Sequence, residues 1–501
     1  MKVLFAASEC APIVKIGGLG DVIASLPRAL LKLGIDVRVA LPFYAAIKDE
    51  ALSPLPLLEF DVRYKNQLFP VRVFLVEHPW EKRLKIFLLK NKPFLERGGI
   101  TAFANTREEV ETYAFFSKAV VEMVSHLIHW TLNSPRGEGW FPQIIHCHDW
   151  HTGLIPSLIK AHFRIDPHWK DQITLFTIHN LAYQGSSDPE LIKNLDETLL
   201  QQPLIKWDLA DQRLNLILQG VLGSDWVTTV SPSYAEEILT PEYGAGLDEI
   251  LRARAGRITG ILNGIDYQVW NPAQDKFLAA PYDPQEGLES VLGARRKNKN
   301  FLQDKLNLPP GEKFFLAAFI GRLDGQQKGL DLILNLIESW DIEELERRKV
   351  ELVILGTGDP QWEQRLKLAV GKNKFIALEL KFDEALAHQI FAGADIILMP
   401  SRFEPCGLPQ MIGMRYGSLP LVHAVGGLKD SVDSDKDGFV FANYRFESFK
   451  STWETAENLF KNHPSEWRQR MKQALVKDFS WRRSAQQYCD LYAEVLRAKS
   501  S

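Results

Sequence analysis

Short apolar runs alternate with segments of helical periodicity along most of this 501-residue chain, and no other feature constrains its fold as tightly. Val3–Ala7, Asp36–Leu41, Ile144–Cys147, Ile173–Ile178, Trp226–Val230 and Ile258–Leu262 read as strands in the first half. Phe314–Ile320, Val350–Leu355, Phe375–Leu380, Asp395–Met399 and Leu419–Val422 do so in the second. Strands separated by helices run parallel, and a chain this long exceeds one core, so the pattern predicts two α/β units with mostly parallel sheets. Leu58–Tyr64, Phe69–Glu77 and Arg83–Leu89 break the rhythm and read as an antiparallel insertion over about residues 58–90. Arg107–Trp130 has helical spacing, Ser186–Asp211 reads as a polar, irregular linker, and Pro272–Pro310 as a loop-rich start to the second unit. The expected boundaries are 1–256 for the first domain, 257–480 for the second, and a last helix over 481–501.

In open parallel sheets ligands bind beyond the carboxyl ends of the strands. The segments at those ends carry Lys15, His148-Asp149, His179, Gly321-Arg322, Gly356-Thr357-Gly358 and Arg402-Phe403-Glu404, a set rich in groups that bind phosphates and hydroxyls. Lys15-Ile16-Gly17-Gly18-Leu19-Gly20-Asp21 joins the first strand to the first helix. Its glycines let backbone amides approach an anion at a helix N-terminus, and Lys15 adds a full charge. Arg322 and Lys328 flank another strand-to-helix turn; a guanidinium fork and an ammonium there suit a departing diphosphate. Glu404 is placed to accept hydrogen bonds from a sugar, and the amides around Cys406, Gly407 and Leu408 precede a helix start. Cys406 itself reads as a small buried residue in a tight turn. Gly426-Gly427 is a third glycine turn before a helix, a second phosphate cradle.

The bulk numbers exclude several classes. A net charge of -4 gives no reason to expect nucleic acid or an anionic membrane as partner. Four scattered cysteines, Cys10, Cys147, Cys406 and Cys489, form no disulfide framework and suit a reduced, cytoplasmic chain. No signal-type segment precedes the first strand, and no apolar run is long enough to span a membrane. Thirteen Trp and 28 Phe leave aromatic faces on which sugars stack, although core packing accounts for most of them. His146, His148 and His151 with Asp149 lack the spacing of a zinc site. Asp433–Gly438 begins like a calcium loop, but Tyr444 falls where a bidentate Glu is needed. No metal or other cofactor is expected.

Long motifs in one order then identify a resemblance. Lys15–Asp21, His146–Thr152 (HCHDWHT), Thr177–Gly185 (TIHNLAYQG), Val230–Glu237, Gly246–Leu251 and Asn263–Pro272 (NGIDYQVWNP) lie in the first part. Gly321–Asp331, Gly356–Pro360, Ser401–Gln410 and Tyr416–Asp430 complete the series. Together they resemble the bacterial glycogen synthases and plant-type starch synthases, which extend an α-1,4-glucan from ADP-glucose.

The resemblance implies a GT-B fold: two Rossmann-like domains facing a cleft, with the last helix crossing back to the first. It implies retaining glucosyl transfer, without a metal, to the non-reducing end of an α-1,4-glucan. Lys15, Gly17, Gly18 and Asp21 would hold the sugar nucleotide. His179, with Asn180 beside it, would contact glucose near the reacting centre, and Asp149 would support that wall. Arg322 and Lys328 would bind the diphosphate, Glu404 the transferred glucose with Cys406, Gly407 and Leu408 nearby, and Gly426 and Gly427 would complete the cradle. Phe382 would lie on the adenine face. The chain departs from the family pattern at Ile16 (usually Thr), Gln219 (often Lys), His423 (often Arg) and Val425 (usually a hydroxyl residue). It is also one residue longer between Arg322 and Lys328, about 3 Å of added reach. These departures frame two alternatives: another nucleotide-glucose donor, or a weakly active paralogue that binds glucan.

Overall fold

The computed structural model describes residues 1–48, 52–96, 107–133, 139–162, 169–195 and 197–500. The chain divides into two compact units, Met1–Gly264 with Trp481–Ser501, and Ile265–Ser480. Among the described residues no helix is long and apolar enough to cross a membrane.

The strands of the first unit are β1 (Lys2–Ala6), β2 (Asp36–Pro42), β3 (Leu55–Tyr64), β4 (Gln67–His78), β5 (Glu81–Lys90), β6 (Ile144–His148), β7 (Ile173–Ile178), the short pair β8 (Ser186–Ser187) and β9 (Leu214–Asn215), β10 (Trp226–Thr229) and β11 (Ile258–Gly260). Nine of them form one sheet in the order β11-β10-β7-β6-β1-β2-β5-β4-β3. From β11 to β5 all neighbours are parallel; only β3 and β4 are added antiparallel at the edge. The insertion expected over 58–90 is therefore smaller. Strand β5 pairs in parallel with β2 and belongs to the core sheet, because consecutive Ile86, Phe87, Leu88 and Leu89 are buried on both faces.

Two further expectations need correcting. The domain break falls after Gly264 rather than after 256, because Ile258–Gly260 pairs with β10 and extends the first sheet. The linker 186–211 is not irregular. It folds as short helices at Glu190–Leu195 and Pro203–Asp208 with 3-10 turns, since Leu191, Ile192, Leu195, Leu199 and Ile205 recur at helical spacing and are buried; residue 196 lies outside the described residues. The final helix, Trp481–Ser500, packs on the helix Gly18–Lys32, and the Tyr492 hydroxyl lies 2.8 Å from His146 Nδ1 on β6.

The second unit has six strands: β12 (Phe315–Ile320), β13 (Val350–Leu355), β14 (Ile376–Glu379), β15 (Ile396–Met399), β16 (Leu419–His423) and β17 (Phe439–Phe441). All are parallel, in the order β14-β13-β12-β15-β16-β17. This is a doubly wound sheet whose order reverses between β12 and β15. Asp341, Asp359 and Asp383 cap the N-termini of the helices that follow them, each contributing about 1 kcal/mol. The loop-rich reading of 272–310 is corrected by an 18-residue helix, Leu288–Lys305. Its inward face carries Arg295, Asn298, Lys299 and Gln303, and these polar residues at core positions hid its periodicity.

Candidate active site

In each sheet the strand order reverses once in its parallel part, between β1 and β6 and between β12 and β15. A crevice opens at such a point because the connections leave in opposite directions, and ligands bind there. The segments leaving these four strands carry most of the polar residues singled out from the sequence.

In the first unit, β1 runs into a turn closed by reciprocal amide bonds between Cys10 and Val14. The glycine turn then starts the helix Gly18–Lys32, whose cap residue Gly17 has no side chain to satisfy the first amides. Glu9 does so instead. Its carboxylate accepts the amides of Ile16 at 2.5 Å and Gly17 at 3.0 Å. A methyl group on Gly20 would sit 3.0 Å from the same oxygen. The amides expected to meet a phosphate thus already meet an internal anion. Burial raises the Glu9 pKa, against the lowering effect of these amide bonds. Lys15 pairs with Asp21 at 2.7 Å on a half-exposed surface, a contact that contributes little stability. The Ile16 amide belongs to Glu9, so the missing threonine hydroxyl leaves the turn intact.

Asp149 follows β6 with φ 55 and ψ −178, a region that non-glycine residues enter at a cost of about 1–3 kcal/mol. Its carboxylate accepts the amide of His179 at 2.7 Å and reaches that of Asn180 at 3.4 Å, tying the ends of β6 and β7 together. His179 Nε2 lies 3.0 Å from His148 Nδ1. Burial pushes His179 down to about 3 and Asp149 up to about 7. Near neutral pH His179 is a neutral imidazole whose Nε2 shares a hydrogen bond with His148. His146 is held by Tyr492 and Thr177, and His151 is stacked on Trp150. Among the described residues no cluster suited to a metal occurs. Gln219 donates to the buried Asp208 carboxylate at 2.6 Å.

In the second unit, β12 ends at Gly321-Arg322. The longer turn that follows is organised by Asp324, whose carboxylate accepts the amides of Gln326 and Gln327 and pairs with Arg322 at 3.0 Å. Gly325 lies on Trp362, where a Cβ would come within 1.8 Å of the indole nitrogen. Gly329, at φ 70, passes so close to Pro400 at the end of β15 that a Cβ would lie 2.0 Å from its carbonyl oxygen. At the end of this turn the Lys328 ammonium lies 2.7 Å from Glu404 Oε2. Ser401 donates to the same oxygen at 2.9 Å.

Glu404 is buried, and its carbonyl accepts the Gly427 amide at 3.0 Å. A Cβ on Gly427 would lie 2.2 Å from the Cys406 carbonyl oxygen. Gly427 therefore serves the close packing of two loops, and its amide is not open to a phosphate. Gly426 is helical in start but at φ 43, beside it. Val425 caps that short helix without a side-chain bond. His423 Nδ1 lies 2.8 Å from the Ser401 carbonyl, holding the loop that carries Glu404. Cys406 is buried, and Gln410 donates to the carbonyls of Cys406 and Gly407. The amides of Gly407 and Leu408 take no partner among the described residues. Phe382, after β14, is 88% exposed, a free aromatic face.

Sequence reasoning missed Glu9, Asp324, Trp362 and Ser401. Only Glu9 had a visible signal, an acid in a buried run just before three glycines.

Comparison with known proteins agrees in extent. Residues 2–253 match the family described as Starch synthase catalytic domain, and residues 298–474 match Glycosyl transferases group 1. A glycogen synthase of Lactiplantibacillus plantarum is 38% identical over 99% of this chain and 100% of its own. One from Clostridium botulinum is 37% identical over 99% of both. The catalytic domain of starch synthase IV from Arabidopsis thaliana, solved with ADP and acarbose, superposes with a TM-score of 0.85 at 32% identity over 99% of both chains. A sucrose-phosphate synthase from Thermosynechococcus elongatus, 18% identical with a TM-score of 0.59 over 99% of both chains, shares the fold.

Proposed function

The chain belongs to the glycogen and starch synthase family, and from that premise we propose that it moves glucose from ADP-glucose to the non-reducing end of an α-1,4-glucan, with retention at the anomeric carbon. The observation that carries this reading is the group at the β12/β15 reversal. Arg322 and Lys328 supply cations where a leaving diphosphate gains charge, and Glu404 supplies a fixed acceptor for glucose hydroxyls. Preorganised charges of this kind lower a barrier because nothing has to reorganise as the bond breaks.

In the resting arrangement Lys328 and Glu404 neutralise each other. A donor that offers phosphate oxygens to Lys328 and sugar hydroxyls to Glu404 replaces that contact with one to each partner. The open amides of Gly407 and Leu408 suit the same diphosphate. Phe382 offers an exposed ring for adenine. In the first unit, neutral His179 hydrogen-bonds glucose without carrying a charge that would compete for the diphosphate, and Asp149 fixes its backbone. Lys15, paired with Asp21, is the first unit's own cation for the sugar nucleotide.

The test is transfer of radiolabelled glucose from ADP-glucose to glycogen by the purified chain, with UDP-glucose in parallel. Incorporation from ADP-glucose supports the proposal. Incorporation from UDP-glucose alone would move it to the other donor, and binding of glycogen with no incorporation from either would leave a glucan-binding paralogue.

A further inference from the structure

A cavity of about 770 Å³ opens within the second unit, and none of the residues assigned to glucosyl transfer lines it. Nine of its 17 lining residues are Arg or Lys and two are acidic, in a chain whose net charge is -4. Its walls come from the segments just before β12, β13 and β15, together with the helices Leu288–Lys305, Phe446–Asn462 and Pro464–Val476. It therefore lies at the amino ends of the parallel strands. Arg322, Lys328 and Glu404 lie at the carboxyl ends, about 20 Å away along a six-residue strand. An occupant here would touch none of the groups assigned to glucosyl transfer.

The cations are not all spent on structure. Lys299 is buried against Asp395, and Arg348 and Lys461 share Glu457. Arg295 is different. It is 5% exposed, its guanidinium donates to the carbonyls of Phe391, Ala394 and Tyr416, and no carboxylate pairs with it among the described residues. Backbone carbonyls fix its position but leave its charge uncompensated by an anion. At the mouth, Lys313, Arg347 and Lys349 are exposed, and none has an ion-pair partner among the described residues. A concave site with a buried uncancelled charge and three open ones at its rim focuses potential on anions. Its volume suits a small molecule, and Leu292, Phe460 and Met471 supply apolar wall.

We infer that this cavity is a second ligand site, for a small phosphorylated molecule whose phosphate meets Lys313, Arg347 and Lys349 and whose scaffold enters toward Phe460. Sugar phosphates and nucleoside phosphates share that chemistry. The inference stands whether or not the donor is ADP-glucose.

The experiment titrates the full chain with pyrophosphate, ribose 5-phosphate and AMP at about 20 mM salt, where exposed charges are weakly screened. Wild type is compared with Lys313→Glu/Arg347→Glu/Lys349→Glu, with the milder triple Gln variant, and with Lys328→Ala. Thermal melts check folding, and the Gln variant serves if charge reversal unfolds the chain. Binding that falls at least about tenfold in the cavity variants and survives in Lys328→Ala is the expected result. A preference among the three probes tells whether a bare phosphate, a sugar or a base is read. Binding lost in Lys328→Ala but kept in the cavity variants assigns the phosphate to the donor site and overturns the inference. So does an absence of binding up to about 5 mM, or an oligonucleotide that binds through these residues when the small phosphates do not.

Discussion

Lys328 and Glu404, 76 residues apart in sequence, meet at 2.7 Å where the connections after β12 and β15 part. The pair is mostly buried, and Ser401 donates a second hydrogen bond to the same carboxylate oxygen. Removing one partner leaves the other charged and uncompensated, so the two positions differ in what their loss does. Lys328→Ala should lower kcat/KM for ADP-glucose by about 100- to 1,000-fold, the usual effect of losing one preorganised group. Glu404→Gln keeps a hydrogen-bond acceptor and should lower kcat more than it raises the donor KM. Steady-state kinetics at saturating glycogen separate the two; normal donor KM and kcat in Lys328→Ala would remove Lys328 from the site.

Glu9 holds the glycine turn from inside. Glu9→Ala strands the amides of Ile16 and Gly17 and should cost about 1–3 kcal/mol in denaturant unfolding. It should also raise the donor KM, because Lys15 then loses its fixed platform. A variant as stable as the parent would show that water satisfies those amides equally well.

Asp149 and His179 impose opposite pH dependences. The folded-state pKa of Asp149 is raised to about 7, so between about pH 4 and 7 the folded chain binds more protons than the unfolded one. Its contribution to stability is full below that window and is lost as pH rises through it. His179, lowered to about 3, behaves the other way and loses stability as pH falls from about 6.5. Asp149→Asn retains an acceptor for the His179 amide and should flatten the fall in stability toward pH 7. Chemical denaturation at pH 5 and pH 8 reads the difference. An unchanged slope would place the Asp149 pKa near its ordinary value.

Gly325 tests how the longer turn is accommodated. A methyl group there would collide with Trp362, so Gly325→Ala should push the turn outward, alter Trp362 fluorescence and raise the donor KM. Gly325→Ala with native fluorescence and kinetics would mean that the indole yields. Phe382→Ala, at an exposed ring, should leave the melting temperature unchanged and still raise the donor KM about 5- to 50-fold.

Much of this was legible in the sequence because strands buried on both faces are near-continuous apolar runs, and because turns that bring two backbones together need glycine. The alternation of β12 to β16 with helices, and the placing of Arg322, Lys328 and Glu404 at strand ends, followed from those two facts, whereas the three-residue β17 was not read. The helix Leu288–Lys305 was hidden because its buried face carries Arg295 and Lys299, which periodicity counts as solvent-facing. The role of β5 was hidden because parallel pairing with β2 is a long-range choice that no local pattern encodes. The amides of the Lys15–Asp21 turn and of Gly427 were read as open for one reason. A sequence shows amides available to an anion, but not that a neighbouring carboxylate or carbonyl has already taken them.

The central claim is glucosyl transfer that depends on the β12/β15 group. Its most direct test measures radiolabelled glucose incorporated into glycogen from ADP-glucose by the wild-type chain and by Lys328→Ala side by side. The account predicts steady incorporation by the wild type and a loss of about 100-fold or more in the variant. Equal incorporation by both, or none by a folded wild type, would contradict it.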